Sequence, residues 1–281
     1  MLLALLALLL TSCSSAPTNA QEKEAQDDDG DIATAKAREE YIGDLKKFLN
    51  AKGDAIAKAA PDVEKAVKRF LGKTKKDEEQ YELASLAVQV LESKGQSEAA
   101  LKVLTELKAH YADADKAIAR AAAKAHETAA KRLSLVGKPL KIEGKLVDGG
   151  AFDWSKYKGK VVLVDFWATW CPPCVAELPN VKENYEKYHE KGFEVVGISL
   201  DKEPGELEDF IKERKLPWAN LFPDKPEERF WNHPLVDKFG IEGVPFTMLV
   251  SREGKVVALN VRGEALGEEL EKLLGNSAEK K

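Results

Sequence analysis

The chain has nothing close to the roughly 20 consecutive apolar residues that a membrane-spanning helix needs. Its longest apolar run, residues 2–10, is short and terminal. It also lacks an excess of either charge: 43 Lys and Arg face 48 Asp and Glu, and no basic patch stands out to neutralise phosphates, so nucleic acid is not an expected partner. The four histidines, His110, His126, His189 and His233, stand at no ligand spacing to any cysteine pair, which argues against a zinc centre; no metal is expected. Only three cysteines are present. Two of them, Cys171 and Cys174, form a Cys-x-x-Cys pair, and Cys13 is left over.

At 281 residues the chain is long enough for more than one domain. Residues 1–12, an apolar run followed by small residues, have the form of a secretory signal. The run closes on Leu10-Thr11-Ser12-Cys13, which resembles the lipobox of bacterial lipoproteins and so implies lipidation of Cys13; a plain secretory signal with an incidental cysteine is the alternative. Residues 13–31 are Ser, Ala, Gln, Glu and Asp with too little apolar content to bury, and read as a disordered tether.

Helical periodicity then takes over across 32–136. Tyr41, Leu45, Phe48 and Leu49 share one face, and Val63, Val67, Phe70 and Leu71 another, with Pro61 placed in the first turn of that second helix. Further helices are predicted at 77–94, 97–111 and 115–133, with Gly95 as the cap between the first two. The pair around Gly95 is vaguely similar to one tetratricopeptide unit, but no second copy follows at a fixed period, which favours a small helical bundle over a repeat scaffold.

At Gly137-Lys138-Pro139 the pattern changes to short extended runs, so a second domain is placed at 137–276, with a polar tail at 277–281. Strands are predicted at 145–147, 161–167, 193–200, 217–222, 246–250 and 256–261, and helices at 171–191, 204–215, 226–239 and 264–274. This describes an α/β fold, a mixed sheet covered by helices, preceded by an all-α domain. Val161-Val162-Leu163-Val164 is continuously apolar, as a central strand buried on both faces should be.

Trp167-Ala168-Thr169-Trp170-Cys171-Pro172-Pro173-Cys174 joins the end of that strand to a helix. A helix N-terminus offers unpaired N–H groups and partial positive charge, which favour thiolate over thiol. Lowering a thiol pKa from ~8.5 to ~7 raises the thiolate fraction at neutral pH from a few per cent to about half. Cys171 is therefore the expected attacking thiolate, and Cys174, one turn on and expected to be more buried, the resolving one. A structural disulfide closing so small a loop would remove little unfolded-state entropy. This chemistry needs no cofactor.

Val164-Asp165-Phe166-Trp167-Ala168-Thr169-Trp170-Cys171-Pro172-Pro173-Cys174, together with Gly243-Val244-Pro245-Phe246-Thr247, resembles the TlpA/ResA branch of the thioredoxin superfamily. The resemblance covers the chain from about Gly137 to Gly275 and does not extend to the helical half. It implies a thioredoxin-like fold and an extracytoplasmic, membrane-tethered thiol:disulfide oxidoreductase, periplasmic and lipid-anchored here. Its partners would be protein disulfides and a membrane electron donor, with c-type cytochrome maturation as a client pathway. It also implies a cis bond at Pro245, with Val244 offering backbone to an extended substrate beside Trp170 and Pro172. Pro179 would kink the active-site helix. Asp165 would take the proton from Cys174, and Glu177 would lie near the cysteines or simply be a solvated acid at the helix start. Trp167 and Trp170 would flank the pair, or serve only as core. A different reading makes the protein a redox-regulated adaptor that binds partners through its helical half. Peroxidase chemistry is disfavoured, because Thr169 is not spaced as in a Pro-x-x-x-Thr-x-x-Cys site.

Overall fold

A computed structural model describes residues 28–275. The stretches expected to be a secretory signal and a polar tail, Cys13 and most of the expected tether lie outside the described residues. Five helices come first: α1 (Asp28–Leu49), α2 (Ala55–Leu71), α3 (Glu78–Ser93), α4 (Ser97–His110) and α5 (Lys116–Leu133). Their apolar stripes close on one another. Tyr41 stacks on Phe70 and donates its hydroxyl to the Ala84 carbonyl, which ties α1 to both α2 and α3. Asp77 and Asp115 cap α3 and α5 by accepting from the backbone N–H of Gln80 and Ala117.

Two expectations in this half are corrected. Helix α1 starts at Asp28, inside the stretch expected to be tether; low apolar content argues against burial but not against a helical backbone. Pro61 lies in the interior of α2 rather than in its first turn. The alanine-rich turn before it, Ala55 to Ala60, has high helix propensity and carries the helix through, at the cost of the bond that the Ala57 carbonyl would receive.

After Leu133 the chain runs along the edge of a sheet. The Gly137 N–H donates to Val256, the Val256 N–H to Lys138, and the Leu140 N–H to Gly254. The sheet has five strands in the order β3-β2-β1-β4-β5: β1 (Val161–Trp167), β2 (Phe193–Ser199), β3 (Ala219–Leu221), β4 (Phe246–Val250) and β5 (Val256–Leu259). The first three pair in parallel, while β4 runs antiparallel to both β1 and β5. Every residue of β1 is buried, as its apolar run requires of a strand covered on both faces. The covering helices are α6 (Pro172–Tyr188), α7 (Pro204–Arg214), α8 (Pro234–Phe239) and α9 (Glu264–Leu270), the last continuing as a π-helical turn, Glu271–Gly275.

The run at 145–147 is not a strand. It makes one bond to β3, Val147 N–H to the Asn220 carbonyl, and accepts at Lys145 from the Phe222 N–H just past β3, before the turn at Gly149 and Gly150 reverses it. The helix expected over 226–239 is broken into two 3₁₀ turns, Pro226–Glu228 and Phe230–Asn232, and the short α8. Pro234 forces His233 into an extended conformation, and Arg229 is extended as well, so no continuous helix can pass.

Candidate active site

β1 ends at Trp167, and the turn Ala168 to Trp170 delivers Cys171 to the N-cap of α6. Cys171 and Cys174 are joined as a disulfide, with Cα atoms 5.2 Å apart. The Cys174 N–H donates to Cys171 Sγ at 3.3 Å, so the first sulfur occupies the position where helices usually hold a capping oxygen. Pro172 and Pro173 fill the first helical positions, where a missing N–H costs little, and both are exposed. The two cysteines are equally buried, each 3% exposed. The expected asymmetry is absent in this disulfide form. Pro179 lies inside α6.

The turn before Cys171 is held by a residue that the sequence reading missed. The carboxylate of Asp201, itself buried, accepts from Thr169 N–H at 3.1 Å, from Thr169 Oγ1 at 2.6 Å and from Ser199 Oγ at 2.7 Å. The available signal was a Ser-x-Asp at the carboxyl end of an apolar parallel strand, the edge where α/β sheets gather functional groups. Trp170, 45% exposed, donates its indole N–H to the Leu200 carbonyl and packs on Phe230. Trp167 instead is fully buried and donates to Asn220 Oδ1 at 3.1 Å, a core role.

Asp165 sits on β1 between Gly197 of β2 and Thr247 of β4. It is buried and its Oδ1 has no hydrogen-bond partner. Burial pushes its pKa up to about 7; the Glu177 charge adds to the rise and Arg262 opposes it. A carboxyl group with that pKa exchanges protons near neutrality. Glu177 is engaged locally: its Oε1 accepts from the Gly263 N–H at 2.7 Å and from Asn180 Nδ2 at 2.6 Å, and Asn180 Nδ2 also reaches the Gly263 carbonyl. This clamps α6 to the loop before α9. The Val244–Pro245 bond is cis, and both residues are half-buried at the start of β4.

Residues 135–274 match the Redoxin family. Thiol-disulfide oxidoreductase ResA of Bacillus thuringiensis is 32% identical over 128 residues, which cover 46% of this chain and 69% of that protein. The chain belongs to the TlpA/ResA-like family. It is a thiol-disulfide oxidoreductase with a thioredoxin-like fold in its C-terminal half. ResA of Oceanobacillus iheyensis is 34% identical over 139 residues, half of this chain and 68% of that protein. The thioredoxin domain of a thiol-disulfide oxidoreductase from Bacteroides vulgatus is 31% identical, covering 50% of this chain and 97% of that one with a TM-score of 0.45. None of these three matches covers more than half of the chain.

Proposed function

We propose that Cys171 and Cys174 are the redox pair of this TlpA/ResA-like protein and that it reduces protein disulfides outside the cytoplasm. The observation that carries this is Cys171 Sγ at the N-cap of α6, where it already accepts an N–H that would stabilise a thiolate. In the reaction, the Cys171 thiolate attacks one sulfur of a target disulfide. The target S–S bond breaks, an intermolecular one forms, and the first target thiolate leaves. Cys174 then loses its proton and attacks Cys171 Sγ, and the second target thiolate leaves. The target gains two electrons and its two thiolates take protons from solvent, to which Cys174 returns one, and the protein ends as the Cys171–Cys174 disulfide, to be reduced by a dithiol donor at the membrane. Asp165, with a pKa near neutrality, suits the role of acceptor for the Cys174 proton. Val244 and the cis Pro245, with Trp170 and Pro172, are the surface on which we place the target segment. Glu177 we assign to holding the Gly263 loop on α6, on the strength of its bonds there.

Among the described residues no helix is long and apolar enough to cross a membrane. We place the tether at Cys13, through a lipid, on the Leu10-Thr11-Ser12-Cys13 pattern. Loss of lipid incorporation in Cys13→Ala is the expected result, and continued labelling would remove that anchor.

Cys174→Ser tests the pair directly. It should stop at a mixed disulfide with a peptide disulfide, while Cys171→Ser should form none; a Cys171→Ser protein that still exchanges would overturn the assignment. The direction is tested by the reduction potential of the pair. A value near or below about −250 mV fits a reductase, whereas one near about −120 mV makes the protein an oxidant.

A further inference from the structure

Among the described residues, a buried arginine lies where the helical half meets the thioredoxin-like half. Arg132, in the last turn of α5, is 6% exposed. Its Nη1 donates to the Gly240 carbonyl at 2.7 Å and to Glu242 Oε2 at 3.3 Å, and its Nη2 donates to Glu92 Oε1 of α3 at 2.7 Å. The guanidinium also lies 6.0 Å from the centre of the Phe246 ring. The backbones come equally close: a side chain on Gly240 would collide with the Thr128 carbonyl oxygen of α5, and Gly240 has φ +66°. Lys131 adds an outer contact to Asp237 of α8 at 3.0 Å.

Gly240, Glu242 and Phe246 bracket the Gly243-Val244-Pro245 loop. Burying a guanidinium and a carboxylate adds little net stability over an apolar contact, but it imposes geometry, because a displaced acceptor leaves a charge unpaired in the interior. A fork fixed to α3 on one side and to residues 240 and 242 on the other defines where the next three residues run.

We propose that Arg132 is a positioning residue for disulfide exchange: through Gly240 and Glu242 the helical half holds the Val244–Pro245 loop where an extended target segment must pair. This rests on the reading that this loop receives the target. It makes the helical half part of the substrate apparatus, and it predicts a selective defect. A target that needs the loop backbone should suffer, and a disulfide too small to use it should not.

The experiment compares reduced full-length protein, Arg132→Met and Arg132→Lys, reacting with a peptide carrying one internal disulfide and with hydroxyethyl disulfide. In a single turnover with the disulfide in excess, Arg132→Met should lower the second-order rate constant for the peptide about tenfold or more, chiefly by raising the peptide concentration at which the rate saturates, and leave that for the small disulfide within a factor of about two. Arg132→Lys keeps one charge but not the fork. It should lose about threefold on the peptide only, and it decides the matter if Arg132→Met does not fold. An unchanged peptide rate, or equal losses on both disulfides, overturns the proposal. If wild type reduces neither disulfide, or Cys171→Ser reduces both, the active-pair assignment fails and this inference falls with it.

Discussion

Asp165 offers a test that separates burial from catalysis. In the oxidised protein neither cysteine titrates, so the pH dependence that Asp165 contributes is its own. Unfolded, its carboxyl group ionises near 3.8; folded, burial and Glu177 hold the proton up to about 7. Between these values the folded state binds more protons than the unfolded one, so stability falls as pH rises and levels off above about 7. Each pH unit carries ~1.4 kcal/mol, so the whole loss is about 4 kcal/mol, of which about 3 kcal/mol lies between pH 5 and pH 8. Asp165→Asn removes the charge at nearly constant shape. Relative to wild type it should therefore gain about 3 kcal/mol on going from pH 5 to pH 8. Urea unfolding of the oxidised proteins, followed by tryptophan fluorescence, measures this. All five tryptophans lie between residues 154 and 231, so the signal reports the half that contains Asp165. Parallel pH profiles for the two proteins would refute the reasoning. Glu177→Gln supplies an internal control: it keeps an acceptor for the Gly263 N–H but removes the second-largest cause of the rise, so the midpoint of the pH-dependent loss should move down.

Two further substitutions probe features that sequence reading missed or misplaced. Asp201→Ala leaves the Thr169 N–H, the Thr169 hydroxyl and the Ser199 hydroxyl without their acceptor; it should cost about 3 kcal/mol and slow disulfide exchange by loosening the turn into Cys171. Unaltered stability and exchange rate in this variant would show that the turn holds without Asp201. Pro61→Ala, at an exposed position inside α2, restores a donor to the Ala57 carbonyl and should raise the stability of the helical half by about 1–3 kcal/mol, read by circular dichroism during unfolding; a lower midpoint would contradict the cost assigned to Pro61.

Much of this architecture was legible in the sequence because it is written in local patterns. The apolar run at Val161 to Val164 marked the central strand, and the spacing of Tyr41, Leu45, Phe48 and Leu49 marked a helix face. Asp77 and Asp115 stand at the starts of two predicted helices, and the strand–Cys-x-x-Cys–helix order placed Cys171 at a helix N-terminus. Errors arose where two local signals compete. Pro61 reads as a helix start, yet the alanines before it extend α2 past it. The 226–239 segment has helical composition, but the backbone requirements at Pro234 and the extended Arg229 divide it.

What the sequence alone determined is what depends on neighbours along the chain: the helical half, the alternation of strands and helices after Gly137, and a thiol pair at the start of a helix. Only the tertiary structure decided what depends on residues far apart. Asp201 reaches Thr169 across 32 positions, Glu177 reaches Gly263 across 86, and Arg132 reaches Gly240 across 108. Each of these is a polar side chain whose distant partner no local window shows. For Asp201 and Arg132 the role follows from burial, where a charge or donor must find a partner, and burial is a property of the packed molecule.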